Sequence, residues 1–224
     1  MFIFISVISL FSFTYFYTKN FKTFGDFISC IFSNVLLYLG YEFGNIDFIE
    51  EYPSKLMIIS SHTSIYDFLI GILYYYSVLH KKYNIYILMK DNFHKVCSPI
   101  LSILDKKIKL ISVDYNKKGL TKKICDELSD KDNYIIFIAP EGTRKCTDKL
   151  KTGYWNIAKN LDINISYIGI DFITKDIVLE NYRKPFNKWE EEEDYFIKYC
   201  KKYIPLYPER CHWTKNFYSL DESS

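Results

Sequence analysis

Residues 60–67 read SSHTSIYD and join two segments of different character. The preceding run, Lys55–Ile59, is short and apolar, which is typical of a buried strand. The following segment, Ile65–Leu79, is long, apolar and rich in aromatic side chains, which is typical of a helix packed on a sheet. The sequence therefore predicts a strand that turns into a helix, with His62 in the turn.

Asp67 stands five positions after His62 and three after Ser64. A serine three residues before an acid has the spacing of a capping box, in which the acid side chain points back toward the start of the helix. From there the Asp67 carboxylate can accept a hydrogen bond from one imidazole nitrogen and fix which nitrogen stays basic. We predict that His62 is a general base oriented by Asp67. A capping aspartate beside an incidental loop histidine is the alternative.

Further along the chain, short apolar runs alternate with longer amphipathic ones. This alternation predicts the fold class, an α/β single domain over residues 51–210 with a mostly parallel central sheet flanked by helices. The predicted strands are Lys55–Ile59, Tyr83–Met89, Ile108–Val113, Tyr134–Ala139, Ile163–Ile170 and Asp176–Glu180. The predicted helices lie near Ile65–Leu79, Phe93–Leu104, Lys117–Leu128, Gly153–Asn160 and Trp189–Tyr203.

A polar residue that can do chemistry follows each of the first four predicted strands. These residues are His62, Lys90, Asp114 and Glu141. In open α/β sheets, ligands gather at the carboxyl ends of parallel strands. We therefore expect the four loops to converge in space, although they are far apart in sequence.

The fourth of these loops carries a second motif, Pro140-Glu141-Gly142-Thr143-Arg144. Arg144 offers a planar, permanently charged guanidinium for phosphate oxygens. Gly142 allows the backbone to approach a ligand closely. The motif thus suits an acceptor that carries phosphate, with an exposed surface charge as the alternative for Arg144.

The C-terminal part of the chain contains a short acidic run, Glu190–Asp194. Acidic side chains in the first turn of a helix interact favourably with the helix dipole, so the run predicts the start of the last helix. Pro205 and Pro208 are expected to end that helix. Residues 211–224 are predicted to form a C-terminal tail.

The first 50 residues are predicted to attach the chain to a membrane. Met1–Thr18 is uncharged, largely apolar and aromatic-rich, and its length is at the short limit for a bilayer span. A second apolar stretch, Phe27–Tyr41, predicts a helix that lies against the membrane or the domain. Basic residues between them favour a cytoplasmic catalytic domain. Two ordinary core helices are the alternative.

Charge and cysteine content limit the possible partners. The chain has 29 Lys+Arg against 27 Asp+Glu, a net charge of +2, which gives no electrostatic argument for a nucleic-acid partner. Its six cysteines show no C-x-x-C pair and no histidine at zinc-ligand spacing. We therefore expect free thiols and no metal.

The two motifs together resemble the glycerolipid (lysophospholipid) acyltransferase family, which includes 1-acylglycerol-3-phosphate acyltransferases. The likeness rests on His62-x-x-x-x-Asp67 followed by Glu141-Gly142-Thr143-Arg144, and it spans roughly residues 52–180. It implies an O-acyltransferase that moves a fatty acyl group from acyl-CoA or acyl-carrier protein to a hydroxyl of a lysophospholipid. It also implies that the second motif holds the acceptor and that Lys90 serves its headgroup. No cofactor is implied beyond the acyl thioester as co-substrate.

The identity of the acceptor lipid is left open by three departures from the family pattern. Ser61 stands where the phosphatidic-acid-forming branch often has asparagine, Tyr115 where the family has an arginine, and Asn164 where it has a proline. A lysophospholipid other than 1-acylglycerol-3-phosphate, or another lipid alcohol, remains an alternative acceptor.

Two rival functions remain open as well. One is a thioester or lipid hydrolase that uses the same site with water in place of the acceptor hydroxyl. The other is a non-catalytic lipid-binding membrane protein. The chain contains no G-x-S-x-G nucleophile elbow, which fits direct attack by the acceptor hydroxyl.

Overall fold

The computed structural model describes residues 24–43, 53–80, 82–91, 94–98, 105–113 and 119–214. The helices are α1 (Phe24–Tyr38), α2 (Ile65–Tyr74), α3 (Leu120–Leu128), α4 (Gly153–Asn160) and α5 (Trp189–Cys200). A π-helical turn, Tyr75–Leu79, extends α2, and 3-10 turns follow α5 at Pro208–Arg210 and His212–Thr214. The strands are β1 (Glu42–Phe43), β2 (Lys55–Ser60), β3 (Asn84–Lys90), β4 (Ile108–Val113), β5 (Tyr134–Ile138), β6 (Asn164–Ile170) and β7 (Asp176–Leu179).

These strands form one sheet in the order β1-β7-β6-β2-β5-β3-β4. All neighbouring pairs are parallel except β6 and β7, which are antiparallel. The predicted α/β class with a mostly parallel central sheet is therefore confirmed. Strands β2 and β5 pair in the middle of the sheet, so the turns that follow them start from neighbouring strand ends.

The sheet is covered by helices on both faces, as the packing of β2 shows. Leu56 and Ile58 pack into a core with side chains of α1 and α2, whereas Met57 and Ile59 pack into a second core with side chains of α3, α4 and α5. Because neighbouring strand residues point to opposite faces, a strand buried on both sides reads as a continuous apolar run. This is why β2 was recognisable in the sequence.

Helix α1 packs against the domain rather than standing apart from it. Leu36 is fully buried, and the ring of Phe32 meets the ring of Tyr76 edge to face at 4.9 Å between centroids. The helix starts three residues before the predicted Phe27–Tyr41, and it ends before Gly40, whose φ of 80° no longer fits a helix. The two-residue strand β1 that follows was not predicted.

The predicted N-terminal anchor, Met1–Thr18, lies outside the described residues. Within the described ranges, no helix combines the length and the apolar character needed to cross a bilayer. The predicted helix near Phe93–Leu104 also falls largely outside them, although residues 94–98 are helical. The remaining predicted helices are present with small shifts at their ends, since Lys117 precedes the described start of α3 and α5 ends at Cys200.

Candidate active site

The turn between β2 and α2 has the capping geometry that the sequence predicts. The Ser64 hydroxyl oxygen accepts hydrogen bonds from the backbone amides of Tyr66 and Asp67, at 3.1 and 3.2 Å. In return, Oδ2 of Asp67 accepts from the amides of Thr63 and Ser64, at 2.6 and 2.7 Å. The predicted capping box is confirmed. It fixes a buried carboxylate directly behind the turn.

His62 lies against this carboxylate. Its Nδ1 is 3.5 Å from Oδ2 of Asp67, and 27% of its side chain remains exposed while Asp67 is buried. The contact is longer than a strong hydrogen bond. Since Nδ1 faces the acid, Nε2 is the nitrogen left for a substrate hydroxyl.

Glu141 supports the same turn from the loop after β5. The Ser61 hydroxyl donates a hydrogen bond of 2.9 Å to its Oε1, and within the described ranges its buried Oε2 has no hydrogen-bond partner. Burial raises the pKa of Glu141, while its own backbone amide, the Ser61 hydroxyl and the nearby His62 oppose the rise. Glu141 is thus packed behind the turn of His62 and does not line the cavity described next.

The two motifs open onto one cavity of about 550 Å³. The ends of β2, β3 and β5 all contribute to this cavity, so three of the four predicted loops converge. The fourth predicted residue, Asp114, lies outside the described residues.

The cavity combines polar and apolar residues. Its polar lining consists of Ser60, Ser61, His62, Asp67, Lys90, Gly142, Thr143, Arg144, Lys145 and Arg210. Its apolar lining consists of Ile65, Phe68, Ile87, Leu88, Met89, Phe137, Ile138 and Ala139. Such a cavity suits a ligand with an anionic end and an apolar chain.

The polar side of the cavity is strongly cationic. Lys90, Arg144, Lys145 and Arg210 line it, with Asp67 as the acidic side chain among the lining residues. Burial and the positive charge of Lys90 also lower the pKa of Lys151. Fixed like charges around a pocket raise the local concentration of anions.

Gly142 has the conformation that its position requires. Its φ is 59°, in the left-handed region where a Cβ is unfavourable, and its amide donates to the carbonyl of Ala139 at 3.1 Å. This turn directs the following residues, Thr143 and Arg144, to the cavity.

Arg210 is a cavity residue that sequence reasoning missed. It comes from the 3-10 turn after α5, and its Nη1 donates to the carbonyl of Thr63 at 3.1 Å, across 147 positions of the chain. The residues around it match no motif, so no signal in the sequence marks it. Cys211 and His212, which belong to the predicted C-terminal tail, also contact the domain. Sγ of Cys146 donates to the carbonyl of Cys211, and Nδ1 of His212 lies at hydrogen-bond distance from the carbonyl of Thr147.

Two buried thiols near the site, Cys200 and Cys211, are in surroundings that favour the protonated form. Burial, with the nearby Glu141 carboxylate, raises the pKa of Cys200 far above its usual range and that of Cys211 to about 12. Both side chains therefore stay protonated at neutral pH. Among the described residues, no group of three or more His, Cys, Asp or Glu side chains is placed to hold a metal ion.

Comparison with known proteins matches the chain to a family. A family model described as Acyltransferase matches residues 43–170, more than half of the chain. The matched range runs from β1 to the end of β6 and includes both motifs. Neither the curated proteins nor the solved structures yield a match.

Proposed function

This chain belongs to the glycerolipid acyltransferase family, and we propose that it moves a fatty acyl group from an acyl thioester to a hydroxyl of a lysophospholipid. The donor is acyl-CoA or acyl-carrier protein, and 1-acylglycerol-3-phosphate is a representative acceptor. The observation that carries this proposal is the His62–Asp67 pair in the lining of a cavity that four cationic side chains and several apolar side chains also line.

In the proposed reaction, Nε2 of His62 takes the proton of the acceptor hydroxyl as its oxygen attacks the thioester carbonyl. The carbon–oxygen bond forms, the carbon–sulfur bond breaks, and the imidazolium returns its proton to the leaving thiolate. Asp67 holds Nδ1–H and stabilises the imidazolium while it exists. The products are an esterified lipid and a free thiol, and His62 ends neutral.

The cationic side of the cavity would hold the acceptor phosphate. Arg144 is suited to bind two phosphate oxygens at once, and Lys90 adds charge at the end of β3. Glu141 supports the turn of His62, Gly142 shapes the loop, and Thr143 lines the pocket. The apolar walls would take the acyl chain of the donor or acceptor.

A membrane is the expected source of such lipids, and we propose that the chain acts at a membrane surface with its catalytic domain facing the cytoplasm. Three large apolar side chains at the end of α1 support this proposal. Leu37, Tyr38 and Leu39 are exposed by 57%, 68% and 49%. Exposed apolar side chains next to one another are typical of an interaction surface.

The experiment is to incubate the detergent-purified full chain with long-chain acyl-CoA and a panel of lysophospholipids, and to identify acylated products by mass spectrometry. We expect one phosphate-bearing acceptor class to be esterified. Acyl-carrier-protein donors form a second arm. Failure of every acceptor with both donors would contradict the transferase and favour a non-catalytic lipid-binding protein.

Hydrolysis at the same site is the second candidate. Part of the His62 side chain is exposed, so water can reach the imidazole. The hydrolase predicts free fatty acid at a rate that does not change when a lysophospholipid is added. The transferase predicts thiol release that requires the acceptor.

A further inference from the structure

Arg210 enters the cavity from a part of the chain that the family model does not cover. The matched range ends at residue 170, whereas Arg210 belongs to the 3-10 turn Pro208–Arg210 that follows α5. It nevertheless lines the same cavity as His62 and Arg144. Any role of Arg210 therefore has to be argued from its contacts in this structure.

The guanidinium of Arg210 is oriented by three contacts. Nη1 donates to the carbonyl of Thr63 at 3.1 Å, and the guanidinium carbon lies 3.9 Å from the centroid of the Tyr207 ring. Nε is 3.7 Å from Oε1 of Glu209, an exposed ion pair of the kind that contributes little. Within the described part of the chain, Nη2 makes no hydrogen bond, so this nitrogen remains for a ligand.

The segment that carries Arg210 is attached to the loop that carries Arg144. Cys211 is fully buried, and its carbonyl accepts a hydrogen bond of 3.2 Å from Sγ of Cys146. Nδ1 of His212 is 2.6 Å from the carbonyl of Thr147. These contacts hold the two arginine-bearing segments together before any ligand binds. Preorganised donors of this kind reduce the entropy lost on binding.

We propose that Arg210 is a specificity residue that binds the phosphate of the acceptor lipid. Nη1 is held by the carbonyl of Thr63, the residue after His62, so a phosphate bound by Nη2 would lie close to the imidazole. In a phosphorylated glycerolipid, only a short run of covalent bonds separates the phosphate from the free hydroxyl. Arg210 would thus select acceptors whose phosphate is near the hydroxyl to be acylated. This inference rests on the proposed acyl transfer.

The test compares wild type with Arg210→Gln and Arg210→Lys on two acceptors, lysophosphatidic acid and monoacylglycerol, which differ by the phosphate. We expect Arg210→Gln to raise KM for lysophosphatidic acid by about tenfold to a hundredfold, the loss typical of a hydrogen bond to a charged group. Any loss on monoacylglycerol, caused by losing the contact of Arg210 with the turn of His62, should be smaller, so the ratio of kcat/KM for lysophosphatidic acid to that for monoacylglycerol should fall. Arg210→Lys, which keeps the charge but not the planar fork, should lie between.

Lys198→Ala is the matched control. Lys198 is an exposed cation on α5 that does not line the cavity, so its removal changes the net charge by the same amount without affecting the site. Thermal unfolding of all variants shows whether each is folded. If Arg210→Gln does not fold, Arg210→Lys carries the comparison.

Two kinetic results would overturn the inference. An equal loss on both acceptors would show that Arg210 only positions the turn of His62 through Thr63. Unchanged kinetics on both would show that the phosphate is bound elsewhere.

A second experiment, without acyl donor, titrates glycerol 3-phosphate into wild type and Arg210→Gln by calorimetry. Weaker binding by the variant is expected, and equal binding would overturn the assignment. Absence of turnover in wild type would contradict the proposed transferase, and the calorimetry would still decide the role of Arg210.

Discussion

The hydroxyl of Ser61 donates a hydrogen bond of 2.9 Å to Oε1 of Glu141, 80 positions further along the chain. This bond ties the turn after β2 to the loop after β5, which are the two segments that carry the sequence motifs. Glu141 is almost fully buried at this junction. Its carboxyl group therefore holds the turn of His62 in place from the interior of the protein, outside the cavity lining.

The burial of Glu141 predicts a pH-dependent effect of Glu141→Gln. Because the folded pKa is raised, the folded state holds the proton more tightly than the unfolded state. The stability that this group contributes is fully present below the unfolded pKa of about 4.3 and is lost as pH rises through the folded pKa. Glutamine does not titrate. We expect the Tm of the variant minus that of wild type to increase between about pH 4 and pH 8.

The measurement is thermal unfolding of both proteins over that pH range. Glu190→Gln, at an exposed position on α5, serves as the control and should show a smaller change with pH. A Tm difference for Glu141→Gln that is constant, or that decreases with rising pH, would contradict the assignment.

Asp67 is predicted to have two separable roles. Its Oδ2 accepts from two backbone amides and also faces Nδ1 of His62. Asp67→Ala removes both roles and should lower the free energy of unfolding by about 1–2 kcal/mol, as loss of a helix cap does. Asp67→Asn keeps an acceptor oxygen for the amides but has no charge to stabilise an imidazolium. We expect it to keep nearly wild-type stability and to lose activity by about 10²–10⁴-fold.

Urea unfolding and acceptor-dependent thiol release measure the two roles of Asp67 separately. Full activity in Asp67→Asn would show that the carboxylate acts only as a cap. In that case the alternative in which His62 is an incidental loop histidine would gain support.

Glu192 is predicted to be the most important acid of α5 for stability. It is fully buried, and its carboxylate accepts from Arg183 at 3.0 and 3.2 Å and from the amide of Phe186 at 2.9 Å, with the Tyr167 hydroxyl as a further partner. Glu192→Ala leaves Arg183, whose side chain is only 21% exposed, without its carboxylate partner. We expect a loss of about 3–5 kcal/mol in the free energy of unfolding.

Urea denaturation gives the free energy of unfolding of Glu192→Ala and of Glu190→Ala, two variants in the same helical turn. Glu190 is exposed, so its variant should stay within about 0.5 kcal/mol of wild type. Similar losses in the two variants would mean that the acidic turn acts through the helix dipole alone.

Local spacing made much of the site predictable. The capping box needs only a serine and an acid three positions apart, Ser64 and Asp67. The α/β class follows from apolar runs that alternate with amphipathic ones. Convergence of the turn of His62 with Lys90 and Arg144 followed from one rule, that parallel strands end at the same edge of a sheet.

Contacts over long sequence distances were not predictable in the same way. The first turn of α5 was predicted to be acidic, and it is, but only the fold reveals that Glu192 turns inward to Arg183. Arg210 reaches Thr63 because the chain after α5 returns to the cavity, which no periodicity indicates. Strand β1 is two residues long, too short to show an alternating pattern.

The most direct measurement is thiol release from long-chain acyl-CoA with a lysophospholipid acceptor, comparing His62→Ala with wild type. His94→Ala is the matched control, since His94 is a half-buried histidine that does not line the cavity. The proposed mechanism predicts that release requires the acceptor, persists in His94→Ala and falls by about 10²–10⁴-fold in His62→Ala. A folded His62→Ala protein with undiminished, acceptor-dependent release would contradict it.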